Sequence, residues 1–110
     1  MARRATSALA DEEELLLADV VAAECVYVLE SYYRVDRARV AELLRSAIAL
    51  PSIATVDARL LLRTLQLYEL ERLSFVDSYL VASAESTAVA AILSFDRSID
   101  RVGTAPRIEP

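Results

Sequence analysis

The sequence predicts an α/β domain, with a parallel sheet and helices on its faces. Short apolar or β-prone segments alternate with segments of helical periodicity, in the order strand, two helices, strand, two helices, strand, strand. The chain has 110 residues, of which 55% are hydrophobic. That is enough for one core but not for two, so residues 1–110 are expected to form a single domain.

The first predicted elements are a strand and two helices. "LLLAD" (15–19) is a short apolar run, and "DVVAAECVYVLESYYR" continues from it as a helix. Its predicted apolar face consists of Val20, Val21, Val28, Leu29 and Tyr32. "VDRARVAELLRSAIAL" is a second helix, with Asp36 as the N-cap residue and Pro51 as the stop.

The second half repeats the alternation. "SIATV" (52–56) is β-prone, the third helix begins after Asp57, and the fourth begins near Ser74. "AVAAILSF" (88–95) is a continuous apolar run, which predicts a strand buried on both faces. "RIEP" at the C-terminus is a candidate edge strand.

The composition excludes several chemistries. All twelve basic residues are arginine, histidine and asparagine are absent, and the only glycine is Gly103. The chain therefore has no histidine base, no Schiff-base lysine, no Ser-His-Asp triad and no glycine-rich phosphate loop. A net charge of −5 argues against coating nucleic acid through bulk charge. Carboxylates, hydroxyls and arginines remain, and carboxylates in quantity suit a hard divalent cation.

The expected location is the cytoplasm. Cys25 is the only cysteine, so the chain has no disulfide framework of its own. No apolar run reaches the roughly 18 residues that a membrane span needs, so no membrane partner is expected. The start "MARRATSALADEEE" lacks the apolar region of a signal peptide.

Asp77 lies on the predicted buried face of a helix, where a charged carboxylate is energetically unfavourable. In "SFVDSYLVASAES" (74–86) it is in line with Leu80, Val81 and Ala84, at the offsets that mark the buried face of a helix. A buried carboxylate needs a positive partner. A second explanation is a capping box, in which the Ser74 side chain caps the helix and the Asp77 side chain bonds back to the backbone of Ser74. Asp77 could take part in a capping box and also bind a positive partner.

Three other acids have a functional and a structural interpretation each. Asp96 ends the apolar run 88–95, where ligands bind in parallel sheets, or it is the N-cap of "RSID". Glu24 lies among apolar neighbours, or it is a boundary residue that reaches solvent. Asp100 either joins Asp96 on one face or, as the spacing favours, pairs on the surface with Arg97 or Arg101.

Taken together, the acids on or beside apolar surfaces predict one Mg²⁺ or Mn²⁺ cluster formed by Glu24, Asp77 and Asp96. The work of such a cluster would be to activate a water against a phosphodiester and to stabilise the charge that develops.

Three stretches resemble a PIN domain of the VapC toxin type. They are "LLLADVVAAECVYVLESYYRVDRARVAELLRSAIALPSI", "LYELERLSFVDSYLVASAES" and "AILSFDRSIDRV". The resemblance spans about residues 5–105 and is most specific in "F-x-D" at 75–77 and in "L-S-F-D-R-S-I-D" at 93–100. It implies a three-layer α/β/α fold with a central parallel sheet, carboxylates around Mg²⁺ or Mn²⁺ that cleave RNA, and a cognate antitoxin that blocks the site.

By matched position, the resemblance implies roles for individual residues. Glu24 corresponds to the family's helix-borne glutamate, and Asp77 and Asp96 to its next two aspartates. Asp100 corresponds to a more variable fourth acid, and Ser94 to the hydroxyl residue near it.

One departure from the family pattern concerns the N-terminus. PIN domains open with a strand that ends in an Asp-Thr-Asn-like motif, whose aspartate is a principal metal ligand. This chain has no strand-like segment before residue 15, and Met1–Asp11 resembles the end of the helix that follows that strand. The resemblance therefore predicts an N-terminally truncated fold with exposed sheet edges and weaker metal binding.

The leading functional prediction is a divalent-metal-dependent endoribonuclease toxin of a toxin–antitoxin pair, with activity reduced by the missing aspartate. RNA, a cognate antitoxin and a second copy in a homodimer are the expected partners, and arginines such as Arg97 are expected to meet phosphate. The alternative is a non-catalytic PIN-like binding module that retains the antitoxin-binding or dimerisation surface. A receiver-like phosphoacceptor domain is disfavoured because it needs a lysine.

Overall fold

The computed structural model describes residues 14–89 and 91–110, and the helix end predicted at Met1–Asp11 lies outside them. Within the described residues the α/β class is confirmed. The α-helices are α1 (Asp19–Ser31), α2 (Arg37–Ile48), α3 (Ala58–Leu70) and α4 (Phe75–Thr87). The strands are β1 (Leu15–Leu16), β2 (Ile53–Ala54), β3 (Ile92–Leu93) and β4 (Arg107–Ile108), and a 3-10 helix (Arg97–Arg101) lies between β3 and β4.

The strands pair in parallel, as predicted, but they do so in two separate pairs. In the first pair, β1 and β2 place Leu15 opposite Ile53. In the second, β3 and β4 place Ile92 opposite Arg107. Among the described strands none joins one pair to the other, whereas the resemblance led us to expect one central sheet.

The prediction of a strand over 88–95 buried on both faces is wrong in extent and in burial. The strand covers only Ile92–Leu93. Ile92 is buried against α4, while Leu93 is 69% exposed. No described element covers the outward face of this strand, so its apolar composition does not translate into burial there.

Among residues 14–89 and 91–110, two apolar clusters form the core, and α3 contributes to both. The first joins α1, α2, α3 and Phe75, and the second joins α3 and α4 to β3 and the 3-10 helix. Arg63 joins α3 to α4, because its Nε and one terminal nitrogen donate to the two carboxylate oxygens of Glu85 in α4 over 2.8 and 2.9 Å. This arrangement holds α4, which carries Asp77, against β3, which precedes Asp96.

The apolar face predicted for the first helix is confirmed at Leu29, which packs against the core, but is wrong at Val20, Val21, Val28 and Tyr32, which are exposed. Ala22 and Val26 are buried, whereas Tyr27 is exposed. Small side chains let α1 approach its neighbours closely, and the larger side chains are left on the outside. None of the helices in the described part of the chain is long and apolar enough to cross a membrane.

The N-caps of α2 and α3 differ in the structure. The carboxylate of Asp57 accepts the N–H of Leu60 over 3.1 Å, as predicted, whereas Asp36 occupies the N-cap position of α2 without a side-chain cap bond. We expect Asp57→Ala to lower the free energy of unfolding by about 1 kcal/mol. Asp36→Ala is the matched control and should lower it by less. Urea unfolding of both variants measures the difference, and equal losses would contradict the assignment.

Candidate functional site

Asp77 lies in the first turn of α4. The Ser74 hydroxyl accepts the N–H of Asp77 over 3.1 Å, which confirms Ser74 as the cap of this helix. Asp77 is only 7% exposed, and Val81 and Ala84 on the same face are buried, as the spacing predicts. The hydrogen bonds between described residues include no return bond from the Asp77 carboxylate to the backbone of Ser74. The cap therefore explains the start of the helix but not the buried acid.

Asp96 follows β3 and is the N-cap residue of the 3-10 helix. Its Oδ1 accepts the backbone N–H of Ser98 over 2.9 Å. Its own N–H donates to the Ser94 hydroxyl over 3.1 Å, so Ser94 orients the main chain of Asp96. The capping role predicted as one alternative for Asp96 is confirmed, and it is compatible with a role in a site because Asp96 is exposed to solvent.

Ser98, which the sequence analysis did not single out, lies between the two acids. Its hydroxyl donates to Asp96 Oδ1 over 2.6 Å and lies 3.4 Å from Asp77 Oδ2. The signal that points to it is the spacing "D-R-S", because a serine two residues after a capping aspartate is well placed to contact it. Asp77 and Asp96 therefore meet through one side chain.

The two acids have pKa values pushed apart. Burial, together with the hydrogen bond and negative charge of Asp96, raises the pKa of Asp77 to about 6. The hydrogen bond with Asp77, followed by the bonds from Ser98, lowers the pKa of Asp96 to about 2. Two close carboxylates disfavour a second negative charge, so below about pH 6 the pair retains one proton, which lies on Asp77. Such a pair attracts a proton or a metal cation.

The pair predicts a pH dependence of stability. The pKa of Asp77 rises from 3.8 to about 6 on folding, so its contribution to stability is present below about pH 4 and is lost as the pH rises through 6. Asp96 acts in the opposite sense, since its pKa falls from 3.8 to about 2 and its contribution is lost only as the pH falls through 2. Between pH 4 and pH 7 the parent should therefore lose stability relative to Asp77→Asn. Urea unfolding across this range tests this, and parallel pH profiles would contradict it.

Glu24 is not brought into this pair. It is an exposed residue of α1 beside Val21 and Val28, in a shallow depression that also contacts Cys25. Burial, and then the charge of Glu24, raises the pKa of the Cys25 thiol. Among residues 14–89 and 91–110, no three His, Cys, Asp or Glu side chains are grouped closely enough to hold a metal ion. The contact seen among the described residues therefore joins Asp77 and Asp96, and the role of Glu24 as a third ligand stays a prediction.

Asp100 is engaged elsewhere. Its two carboxylate oxygens accept bonds from Nε and a terminal nitrogen of Arg107 over 3.1 and 3.2 Å. The surface interpretation of Asp100 fits this contact, but the predicted partners Arg97 and Arg101 are wrong, because β4 places Arg107 beside it. Arg97 is largely exposed, and its Nε lies 3.8 Å from Glu109.

The donor set of the pair fits an ion of the Mg²⁺ class. Mg²⁺ is commonly bound through one or two carboxylates, while waters and substrate phosphates supply the other ligands. Asp77 and Asp96 provide two carboxylates of unequal exposure. One is buried and has a raised pKa, and the other faces solvent. The donor chemistry of the pair is therefore compatible with an ion of this class.

Comparison with known proteins identifies a family. A family model described as "PIN domain" matches residues 1–105. No curated protein and no solved structure matches the chain. The match includes both members of the acid pair, and it covers nearly all of the 110 residues.

Proposed function

Since this chain belongs to the PIN domain family, whose members are generally nucleases and typically use divalent metals, we propose that it is a divalent-metal-dependent endoribonuclease, the toxin of a toxin–antitoxin pair. The observation that carries the proposal is the contact of Asp77 with Asp96 through Ser98. It joins two of the residues assigned as metal ligands from the sequence, although they come from different elements of the fold.

Asp77 and Asp96 have different proposed roles in the site. Asp77 and Asp96 would hold Mg²⁺ or Mn²⁺, which when bound activates water and neutralises charge developing on the phosphate. Asp77 lies at the N-terminal turn of α4 with its carboxylate withdrawn from solvent. Asp96 faces solvent, and Ser94 orients its main chain. The neighbouring Arg97 has an exposed side chain that suits contact with a phosphate of RNA.

Glu24 and Asp100 have different proposed roles. Glu24 stays the predicted third ligand, although the described structure does not place it in a group with the pair. Asp100 is paired with Arg107 and stays the predicted fourth, supporting acid. The cognate antitoxin, the homodimer and the cytoplasmic location are parts of the same proposal and follow from the family resemblance.

The direct test is cleavage of RNA by the full chain. Labelled single-stranded RNA should be cut in the presence of Mn²⁺, cutting should stop with excess EDTA, and it should return when Mn²⁺ is added again. Cleavage that continues unchanged in EDTA would contradict a metal-dependent mechanism.

A second candidate function is a binding module without catalysis. Two observations favour it: no three acids are grouped in the described part of the chain, and α1 presents Val20 and Tyr27 to solvent, followed by the exposed Tyr32 at its C-terminal end. Large apolar side chains exposed on one element suit an interaction site. The natural occupants are the antitoxin or a second copy of the chain.

A thermal melt with and without Mn²⁺ separates the two functions. A ligand at about 100 times its Kd adds roughly 2.7 kcal/mol to the free energy of unfolding. A cooperative melt that rises with Mn²⁺ supports the nuclease. A cooperative melt that is indifferent to Mn²⁺, together with capture of the antitoxin without RNA cleavage, supports the binding module.

A further inference from the structure

The side chain of Ser98 contacts both carboxylates of the pair. Its hydroxyl is 2.6 Å from Asp96 Oδ1 and 3.4 Å from Asp77 Oδ2. A hydroxyl has a single proton and can donate one strong hydrogen bond, which is the short one to Asp96. The longer contact brings the hydroxyl to the edge of hydrogen-bonding distance from Asp77. Ser98 thus links the 3-10 helix to the first turn of α4 at the place where the acids meet.

Capping of the 3-10 helix does not explain this hydroxyl. The cap is already made by the backbone N–H of Ser98, which donates to Asp96 Oδ1 over 2.9 Å. Any residue other than proline at position 98 has that N–H. The hydroxyl bond to the same oxygen is additional, and the side chain is partly withdrawn from solvent.

The position of Ser98 differs from that of Ser94. The Ser94 hydroxyl accepts the backbone N–H of Asp96 and therefore orients the main chain. Ser98 donates to the carboxylate itself, with its side chain and its backbone directed at one oxygen. Two donors on one oxygen restrict rotation of the Asp96 carboxylate and leave its other oxygen without a contact to Ser98.

We infer that Ser98 is a positioning residue of the site: its hydroxyl holds the Asp96 carboxylate in one orientation beside Asp77, so that both acids are available to one divalent cation. This inference rests on the proposed function. Groups that hydrogen-bond to ligating carboxylates typically change metal affinity by about 10- to 100-fold when they are removed. The ligand is therefore Mg²⁺ or Mn²⁺. Loss of the Ser98 hydroxyl should weaken the affinity for this ion, and any change in the cleavage rate would follow from that weaker binding.

Two variants of equal shape isolate the hydroxyl. Ser98→Thr keeps the hydroxyl, and Ser98→Val replaces it with a methyl group on the same branched frame. Isothermal titration of the full chain with Mn²⁺ at neutral pH gives the Kd of each. We expect Ser98→Val to bind Mn²⁺ about 10-fold more weakly than the parent, and Ser98→Thr to remain within about threefold of it. The melting temperatures of the two variants without metal should be similar.

Each outcome decides the inference. Equal Mn²⁺ affinities of Ser98→Thr and Ser98→Val, in a chain whose Asp77→Asn variant binds less well than the parent, would overturn the role of Ser98 and leave the metal site standing. A parent that binds no Mn²⁺ would refute the proposed metal-dependent function, and the role of Ser98 with it. If the branched side chains impair folding, Ser98→Ala compared with the parent provides the same comparison.

Discussion

Replacement of Asp77 by asparagine is expected to abolish metal-dependent cleavage of RNA while the fold remains intact. Asp77 is the buried member of the acid pair, and its charge is the one that a cation would neutralise most directly. Asparagine keeps the shape of the side chain and removes that charge. We expect at least about a 100-fold loss of cleavage, above the effect of removing a group that only supports a ligand. The measurement is the rate of RNA cleavage at saturating Mn²⁺.

The same substitution is expected to stabilise the metal-free fold at neutral pH. The pKa of Asp77 rises from 3.8 to about 6 because the site disfavours its charge. Asparagine removes that penalty, which amounts to about 1 to 3 kcal/mol at pH 7. Its amide can also donate to the neighbouring Asp96 carboxylate. Loss of activity together with a higher melting temperature would separate a functional role from a structural one.

Asp100→Asn is the matched control for this experiment. Asp100 carries the same carboxylate but directs it to Arg107 on β4 and not to the pair. It should reduce cleavage far less than Asp77→Asn does. If Asp77→Asn cleaved RNA at the parent rate, the site assignment would be wrong. If both variants lost activity equally, the pair would not be the centre of the site.

Ile99→Ala should cause the largest loss of stability among the changes proposed. Ile99 is fully buried in the 3-10 helix and packs in the cluster that contains Val81 and Ile92. Truncation removes apolar contacts and leaves a cavity, which typically lowers the free energy of unfolding by about 2 to 5 kcal/mol. Urea unfolding of the variant and the parent at the same pH measures the loss.

The same truncation should also weaken Mn²⁺ binding, because Ile99 anchors the segment that carries Asp96 and Ser98. Ile99→Val is the control, since it keeps the branched side chain and should cost only about 0.5 to 1.5 kcal/mol. Its Mn²⁺ affinity should stay close to that of the parent. A chain with Ile99→Ala that loses less than about 1 kcal/mol would show that this side chain does not anchor the 3-10 helix.

The sequence by itself determined the local features of this protein. The starts of α3 and α4 follow from Asp57 and Ser74, because a cap is made within the first turn of a helix. The burial of Asp77 follows from helical spacing alone. The motifs at 75–77 and 93–100 also led to the family that the whole-chain match confirms.

The tertiary structure decided which of these features meet. Helix periodicity could not identify the packed face of α1, because α1 has apolar residues on all of its sides. Packing against the neighbouring helices decides that Ala22 and Val26 are the buried residues. Pairing of β3 with β4 brings Arg107 to Asp100, which local spacing assigned to nearer arginines. Packing of the 3-10 helix against α4 brings Ser98 between Asp77 and Asp96. Such contacts join residues far apart in the chain, so they depend on how whole elements pack and not on any local pattern.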